Sequence, residues 1–195
     1  MIINVVLFHN FETLDVFGPV EVFGKADGWE IKYYSLDGGL ISNQDNIHIV
    51  TEKLDLFASD QVLFLPGGMG ARDEINNSGF IDTIKYLATT KSQFVITVCT
   101  GSALLAKTGL LDGREATSNK RSFDWVKQSS DEVIWKKQAR WVVDGKYYTS
   151  SGVSAGIDMA LGFIADIEGV EKAREIAKRI EYNWQEDKTV DNFTE

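Results

Sequence analysis

Four short segments read as buried strands from their side-chain pattern: residues 2–8, 30–35, 62–66 and 94–98. Three are nearly continuous in Val, Ile, Leu and Phe, as expected of a parallel sheet covered on both faces. Between and after them the apolar spacing turns helical. Val16, Val20 and Phe23 mark a helix over 15–26, and Ile81, Ile84 and Leu87 mark one over 80–89. An Ala- and Leu-rich stretch predicts a third over 102–111, and two more are expected over 154–167 and 170–183. The pattern for 29–52 reads as a strand, a turn and a small antiparallel excursion. Residues 141–143 and 147–149 flank Asp144-Gly145-Lys146 as a β-hairpin. Alternation of strand and helix predicts a doubly wound α/β fold: a mostly parallel sheet sandwiched by helices, with a small antiparallel hairpin.

The length of 195 residues suits one domain over 1–187, followed by a flexible acidic tail over 188–195. Twenty basic residues face 29 acidic ones, for a net charge of −9. No basic stripe compensates, because Lys172 to Arg179 alternates with Glu171 and Glu175 at ion-pair spacing. Nucleic acid and anionic membrane are therefore disfavoured as partners. The start has neither a basic region nor a small-residue cleavage site, and no apolar run reaches the ~20 residues of a membrane span. A single cysteine forms no internal disulfide and no metal-ligand spacing is present, so no metal is expected. These features point to the cytoplasm, where a free thiol persists.

The chemistry concentrates where strands end. Residues 94–98 run into Cys99-Thr100-Gly101 and then directly into a helix. A nucleophile elbow needs this arrangement, since the sharp turn lifts the side chain above the sheet edge and demands small neighbours. A helix N-terminus is expected to lower the thiol pKa. Free cysteines are also common core residues, so the context carries the assignment. Residues 62–66 end in Gly67-Gly68, whose backbone N–H groups are expected to face a developing anion. Asp15, after the first strand, either caps the following helix or projects into the crevice; Glu21 is the other candidate carboxylate. Only His9 and His48 offer an imidazole, and His48 sits in a strand pattern.

Pro-Gly-Gly at 66–68, Val-Cys-Thr-Gly-Ser at 98–102, Thr-Gly-Leu-Leu-Asp-Gly-Arg at 108–114 and Val-Ser-Ala-Gly-Ile-Asp at 153–158 occur in series. This series resembles the PfpI superfamily of the class I glutamine-amidotransferase-like fold. With Leu-Asp-Val-Phe-Gly-Pro at 14–19, the chain is most similar to the isonitrile hydratase branch, from Met1 to about Asn183. The resemblance implies a flavodoxin-like sandwich, a homodimer, a small-molecule substrate and no organic cofactor. It implies Cys99 as nucleophile, Asp15 as the carboxylate that handles protons, and Thr100 as a hydroxyl and N–H contributor. Gly67 and Gly68 form the substrate-binding turn. The implied activity is a hydratase or hydrolase of a small C–N compound. The alternatives are a cysteine peptidase or amidase, and a non-enzymatic thiol sensor or chaperone. Departures from the superfamily pattern weaken the peptidase: Thr100 follows the nucleophile where that branch has His, and residues 116–120 contain no His.

Overall fold

The computed structural model describes residues 1–54 and 61–194. Eight strands form one sheet: β1 (Ile2–Val6), β2 (Glu30–Ser35), β3 (Gly39–Ser42), β4 (His48–Lys53), β5 (Gln61–Leu65), β6 (Ser92–Val98), β9 (Trp141–Asp144) and β10 (Tyr147–Ser150). Their spatial order is β3-β4-β2-β1-β5-β6-β10-β9. From β4 to β10 every pairing is parallel, and only the two edge strands, β3 and β9, run antiparallel. A short pair, β7 (Glu115–Ala116) with β8 (Ile134–Trp135), lies apart from this sheet.

Helices α1 (Thr13–Phe23), α6 (Ala155–Glu168) and α7 (Val170–Arg179) pack together, and α6 lies on β10. Helices α2 (Ala71–Glu74), α3 (Ser78–Thr90), α4 (Gly101–Lys107) and α5 (Phe123–Lys127) form the other group, with α3 and α4 on β6. The α6 side is sealed by aromatic rings from both layers. Phe163 of α6 meets Phe23 of α1, Phe94 of β6 and Tyr148 of β10 edge-on, at centroid distances of 4.9–6.1 Å. Such pairs add roughly 0.5–1.5 kcal/mol each beyond the area they bury. The expected doubly wound sandwich is therefore present, and the excursion over 29–52 resolves into β2 and the β3–β4 hairpin.

The chain reverses direction across the sheet between β1 and β5. β1 leads through α1 to β2 on one side, while β5 returns to pair on the other. A crevice opens beside the carboxyl ends of strands at such a switch point. The carboxyl ends of β1, β5 and β6 lie side by side there.

The segment from Lys188, expected to be flexible, is held against the domain. Lys188 O accepts the Arg140 N–H at 2.9 Å, Asp191 N–H donates to Gln138 O at 2.7 Å, and Asp191 is buried. The Asp191 carboxylate lies 3.6 Å from Arg140 and 4.0 Å from Lys120. Composition alone reads this run as solvated; the cations that receive its carboxylate are brought to it only by the fold.

Candidate active site

Cys99 follows the last residue of β6 and has φ 57°, the left-handed region that a side chain with a Cβ enters at a cost of roughly 1–2 kcal/mol. Three hydrogen bonds hold it there. Its N–H donates to Ser151 O at 2.9 Å, and its carbonyl accepts from Ser118 Oγ at 2.8 Å and Ser102 Oγ at 3.0 Å. Strain fixed by surrounding bonds is what an elbow nucleophile requires. Gly101 has no alternative: a Cβ there would stand 2.5 Å from Leu65 O.

Asp15 is the third residue of α1, not its cap, and is fully buried. Its Oδ2 accepts the Gly67 N–H at 3.0 Å, whereas Oδ1 is buried without a hydrogen-bond partner. The carboxyl and the Cys99 thiol interact directly. Glu21 lies elsewhere, exposed on α1 and paired with Lys25 at 2.7 Å. The sheet order thus brings together two of the candidates, Asp15 and Cys99, and leaves the third in solvent.

The glycine turn serves a different purpose from the one its sequence suggests. Gly67 N–H is committed to Asp15, and Gly68 N–H donates to Thr100 Oγ1 at 3.0 Å. Both expected anion donors are therefore occupied within the protein. The turn instead locks the carboxyl and the Thr100 hydroxyl into place. A Cβ on Gly67 would lie 2.5 Å from Thr100 Oγ1 and 2.6 Å from its backbone nitrogen. Gly68, at φ 127°, lets Glu12 N–H reach Gly67 O at 2.9 Å and ties the loop after β1 to the loop after β5. The N–H groups that face sulfur belong to Thr100 and Val153.

Electrostatics also depart from the expectation of a lowered thiol pKa. Burial pushes the Cys99 thiol well up, the Asp15 carboxylate adds to the rise, and the Thr100 and Val153 N–H groups only partly offset them. Burial likewise raises Asp15 well above the usual carboxylate range, against the Gly67 N–H and with help from Glu12. The two-turn α4 is a weaker influence than desolvation and a neighbouring carboxylate. Two acids that each resist ionising beside the other titrate as one unit, so the pair retains a shared proton after the first is lost.

Cys99 opens into a cleft of about 310 Å³. Glu12 and Gln44 line it from the first-strand side, and Asn119, Arg121 and Ser122 from the other. None of these five was singled out from sequence as a site residue. Asn119 falls in the stretch noted for its missing His, and Val153 begins the last motif of the series; Arg121 and Gln44 carry no local signal. Neither imidazole reaches the cleft. His9 Nδ1 lies 3.3 Å from Ser42 N and lines a separate cavity, and His48 is exposed on β4. Among the described residues, no group of three or more His, Cys, Asp or Glu side chains is placed to hold a metal ion, and no helix is long and apolar enough to cross a membrane.

Comparison with known proteins matches this arrangement. Over 182 residues, covering 92% of this chain and 78% of the relative, the chain is 28% identical to isonitrile hydratase of Pseudomonas putida. It is 25% identical to protein dj-1beta of Drosophila melanogaster over 179 residues, 89% of this chain and 93% of the relative. Among solved structures, a THiJ/PfpI family protein from Pseudomonas syringae superposes with a TM-score of 0.86 at 26% identity, over 93% of this chain and 75% of that one. The DJ-1/PfpI family model matches residues 1–166, and with the fold and site above it shows that the chain belongs to the DJ-1/PfpI family.

Proposed function

We propose that this protein is a cysteine-dependent hydratase that converts a small isonitrile to the corresponding N-substituted formamide. The observation that carries the reading is the buried Asp15–Cys99 pair, in which burial keeps a proton on the carboxyl beside the sulfur. The similarity to isonitrile hydratase supports it.

The proposed chemistry needs a nucleophile and one mobile proton, and both are present. Sulfur attacks the terminal carbon of R–N≡C, and the carbon takes the proton held by Asp15, giving the thioimidate R–N=CH–S–Cys99. Asp15, now a carboxylate, accepts a proton from water as the oxygen adds to the same carbon. The tetrahedral adduct collapses to R–NH–CHO, nitrogen is protonated, and the thiol–carboxyl pair regains its starting protons. The Thr100 and Val153 N–H groups stabilise the sulfur when it carries charge, both before attack and as it leaves. Atoms balance as isonitrile plus water to formamide.

Peptide hydrolysis asks for more. A leaving amine must gain a proton near neutral pH, a task suited to an imidazole, and the cleft has none. A redox sensor needs an accessible thiol of low pKa, whereas Cys99 is 6% exposed with its pKa raised. As an enzyme with one unpaired thiol and a net charge of −9, the protein is assigned to the cytoplasm without a nucleic-acid partner.

The test is formamide production from a panel of alkyl and aryl isonitriles, followed by loss of the isonitrile stretch in the infrared. Cys99→Ala should abolish turnover, and Asp15→Asn should lower kcat by about 10²–10⁴-fold, the usual worth of a positioned acid–base group. Wild-type protein inert toward the whole panel, or turnover unchanged in Cys99→Ala, would sink the reading.

A further inference from the structure

The Cys99 cleft does not end at Arg121. Asn119, Arg121 and Val153 also line a second cavity of about 510 Å³, which runs on beneath the C-terminal segment. Four cationic side chains line that cavity, Lys120, Arg121, Lys137 and Arg140, against one lining carboxylate, Asp191. Such a concentration stands out in a chain of net charge −9.

Two of the four are occupied in holding the structure. Lys120 Nζ donates to Thr117 Oγ1, Ser118 O and Ala139 O, and Arg140 Nε donates to Asp158 Oδ2 at 2.7 Å. Asp191 sits between this lysine and arginine. Burial lowers the Lys120 ammonium to about 8, Asp191 opposes the change, and Arg140 and Lys137 add to it, so the field here is positive even with Asp191 in place. Arg121 differs from its neighbours. Its backbone is fixed by the Ser122 N–H, which donates to Asn119 Oδ1 at 3.0 Å. Among the described residues, however, no hydrogen bond or ion pair engages the guanidinium. It stands in the wall common to the reactive cleft and the cationic cavity. The only carboxylate lining the cleft, Glu12, comes from the other side of the sheet switch point and makes no ion pair with it.

We infer that Arg121 and the cavity behind it form an anion subsite. The substrate is then a small electrophile that carries a carboxylate or comparable oxyanion, bound at Arg121 while its reacting carbon faces Cys99. A guanidinium suits this task because its planar donors match two oxygens of one anion. The inference rests on the reading of Cys99 as the nucleophile, and extends it from a bare functional group to a charged class of substrate.

The test uses three methanethiosulfonates that differ only in the charge of the tail: sulfonatoethyl, hydroxyethyl and trimethylammonioethyl. In each case the Cys99 thiolate attacks the thiosulfonate sulfur, a mixed disulfide forms and methanesulfinate leaves. The chain has one cysteine, so mass spectrometry reads a single site. Rates are divided by those of a small free thiol to remove intrinsic reactivity. Wild type should favour the anionic over the neutral reagent by about tenfold, equivalent to about 1.4 kcal/mol, and should disfavour the cationic one. Arg121→Gln should bring the anionic-to-neutral ratio close to unity, and so should high salt. Lys85→Gln, which removes one exposed positive charge on α3, should leave the ratio unchanged. Equal ratios in wild type and Arg121→Gln, or a preference for the cationic reagent, overturn the subsite and leave the nucleophile assignment standing. No labelling by any of the three removes the nucleophile and the subsite together.

Discussion

Replacing Asp15 by Asn separates a buried acid from an ordinary one by stability alone, without a substrate. The carboxyl is fully buried, one oxygen accepts a single N–H at 3.0 Å, and the other has no hydrogen-bond partner. Its folded pKa is therefore raised, first by burial. In the unfolded chain it titrates near ~3.9. Between these two values the folded state holds one proton more than the unfolded state. Stability from this group is complete below the unfolded value and is lost as pH rises toward the folded one. The loss is about 1.4 kcal/mol per pH unit for one proton. In a protein of this size that corresponds to about 3–5 °C in Tm per pH unit. Asparagine keeps an oxygen for the Gly67 N–H and has nothing to titrate. Thermal melts of wild type and Asp15→Asn from pH 4 to 7 should therefore diverge, the variant gaining on wild type as pH rises. Any fixed offset from the substitution cancels in the slope. Because burial is the leading cause, the divergence should persist in a Cys99→Ala background. Parallel curves, or a wild type that gains on the variant with rising pH, would refute a buried neutral carboxyl and return Asp15 to the ordinary carboxylate range.

Two further outcomes follow from the same geometry. Gly67→Ala places a Cβ 2.5 Å from Thr100 Oγ1 and 2.9 Å from Asp15 Oδ2, so it should cost about 1–3 kcal/mol, as overpacking commonly does; denaturation midpoints indistinguishable from wild type would contradict the close approach. The protein should also be a homodimer, with light scattering giving twice 21.8 kDa; cross-strand partners Leu40 and Val50, 58% and 78% exposed, supply apolar surface for a contact, and a mass of 21.8 kDa at micromolar concentration would exclude it.

The parallel core was legible because its physics is local. β1, β5 and β6 are continuously apolar and are covered on both faces, so their runs needed no partner to be recognised. The Asp144-Gly145-Lys146 turn was equally plain, and Gly145 takes φ 60° between β9 and β10. What escaped was structure set by distant contacts. α2 and α5 have 4 and 5 residues, too few for a helical period to show. The 188–194 segment is polar and acidic, and it is held by cations 50 to 70 positions earlier in the chain. The helix expected to reach 111 stops at Lys107, where Thr108 Oγ1 donates to Leu105 O and Gly109 turns at φ 80°.

The site divides along the same line, and the division explains why its electrostatics were misread. The position of Cys99 is a property of five consecutive residues, and the strained φ confirms the elbow at the end of β6. The thiol's acidity is not local. A helix terminus can be read from sequence and argues for a low pKa, but the stronger influences lie across the sheet. Asp15 is 84 positions away in the chain, and Val153, which donates to sulfur, is 54 positions away in the other direction. The Gly67-Gly68 turn shows the same reversal. Its glycines suggested free N–H donors, yet each N–H is taken by a side chain from another segment. Those commitments give the carboxyl one fixed oxygen and one free oxygen beside the sulfur. A site built to generate a permanent thiolate would surround sulfur with donors and keep carboxylates away. Here a carboxyl is buried against the thiol at a cost in stability, which has a chemical use only if the proton they share moves during the reaction.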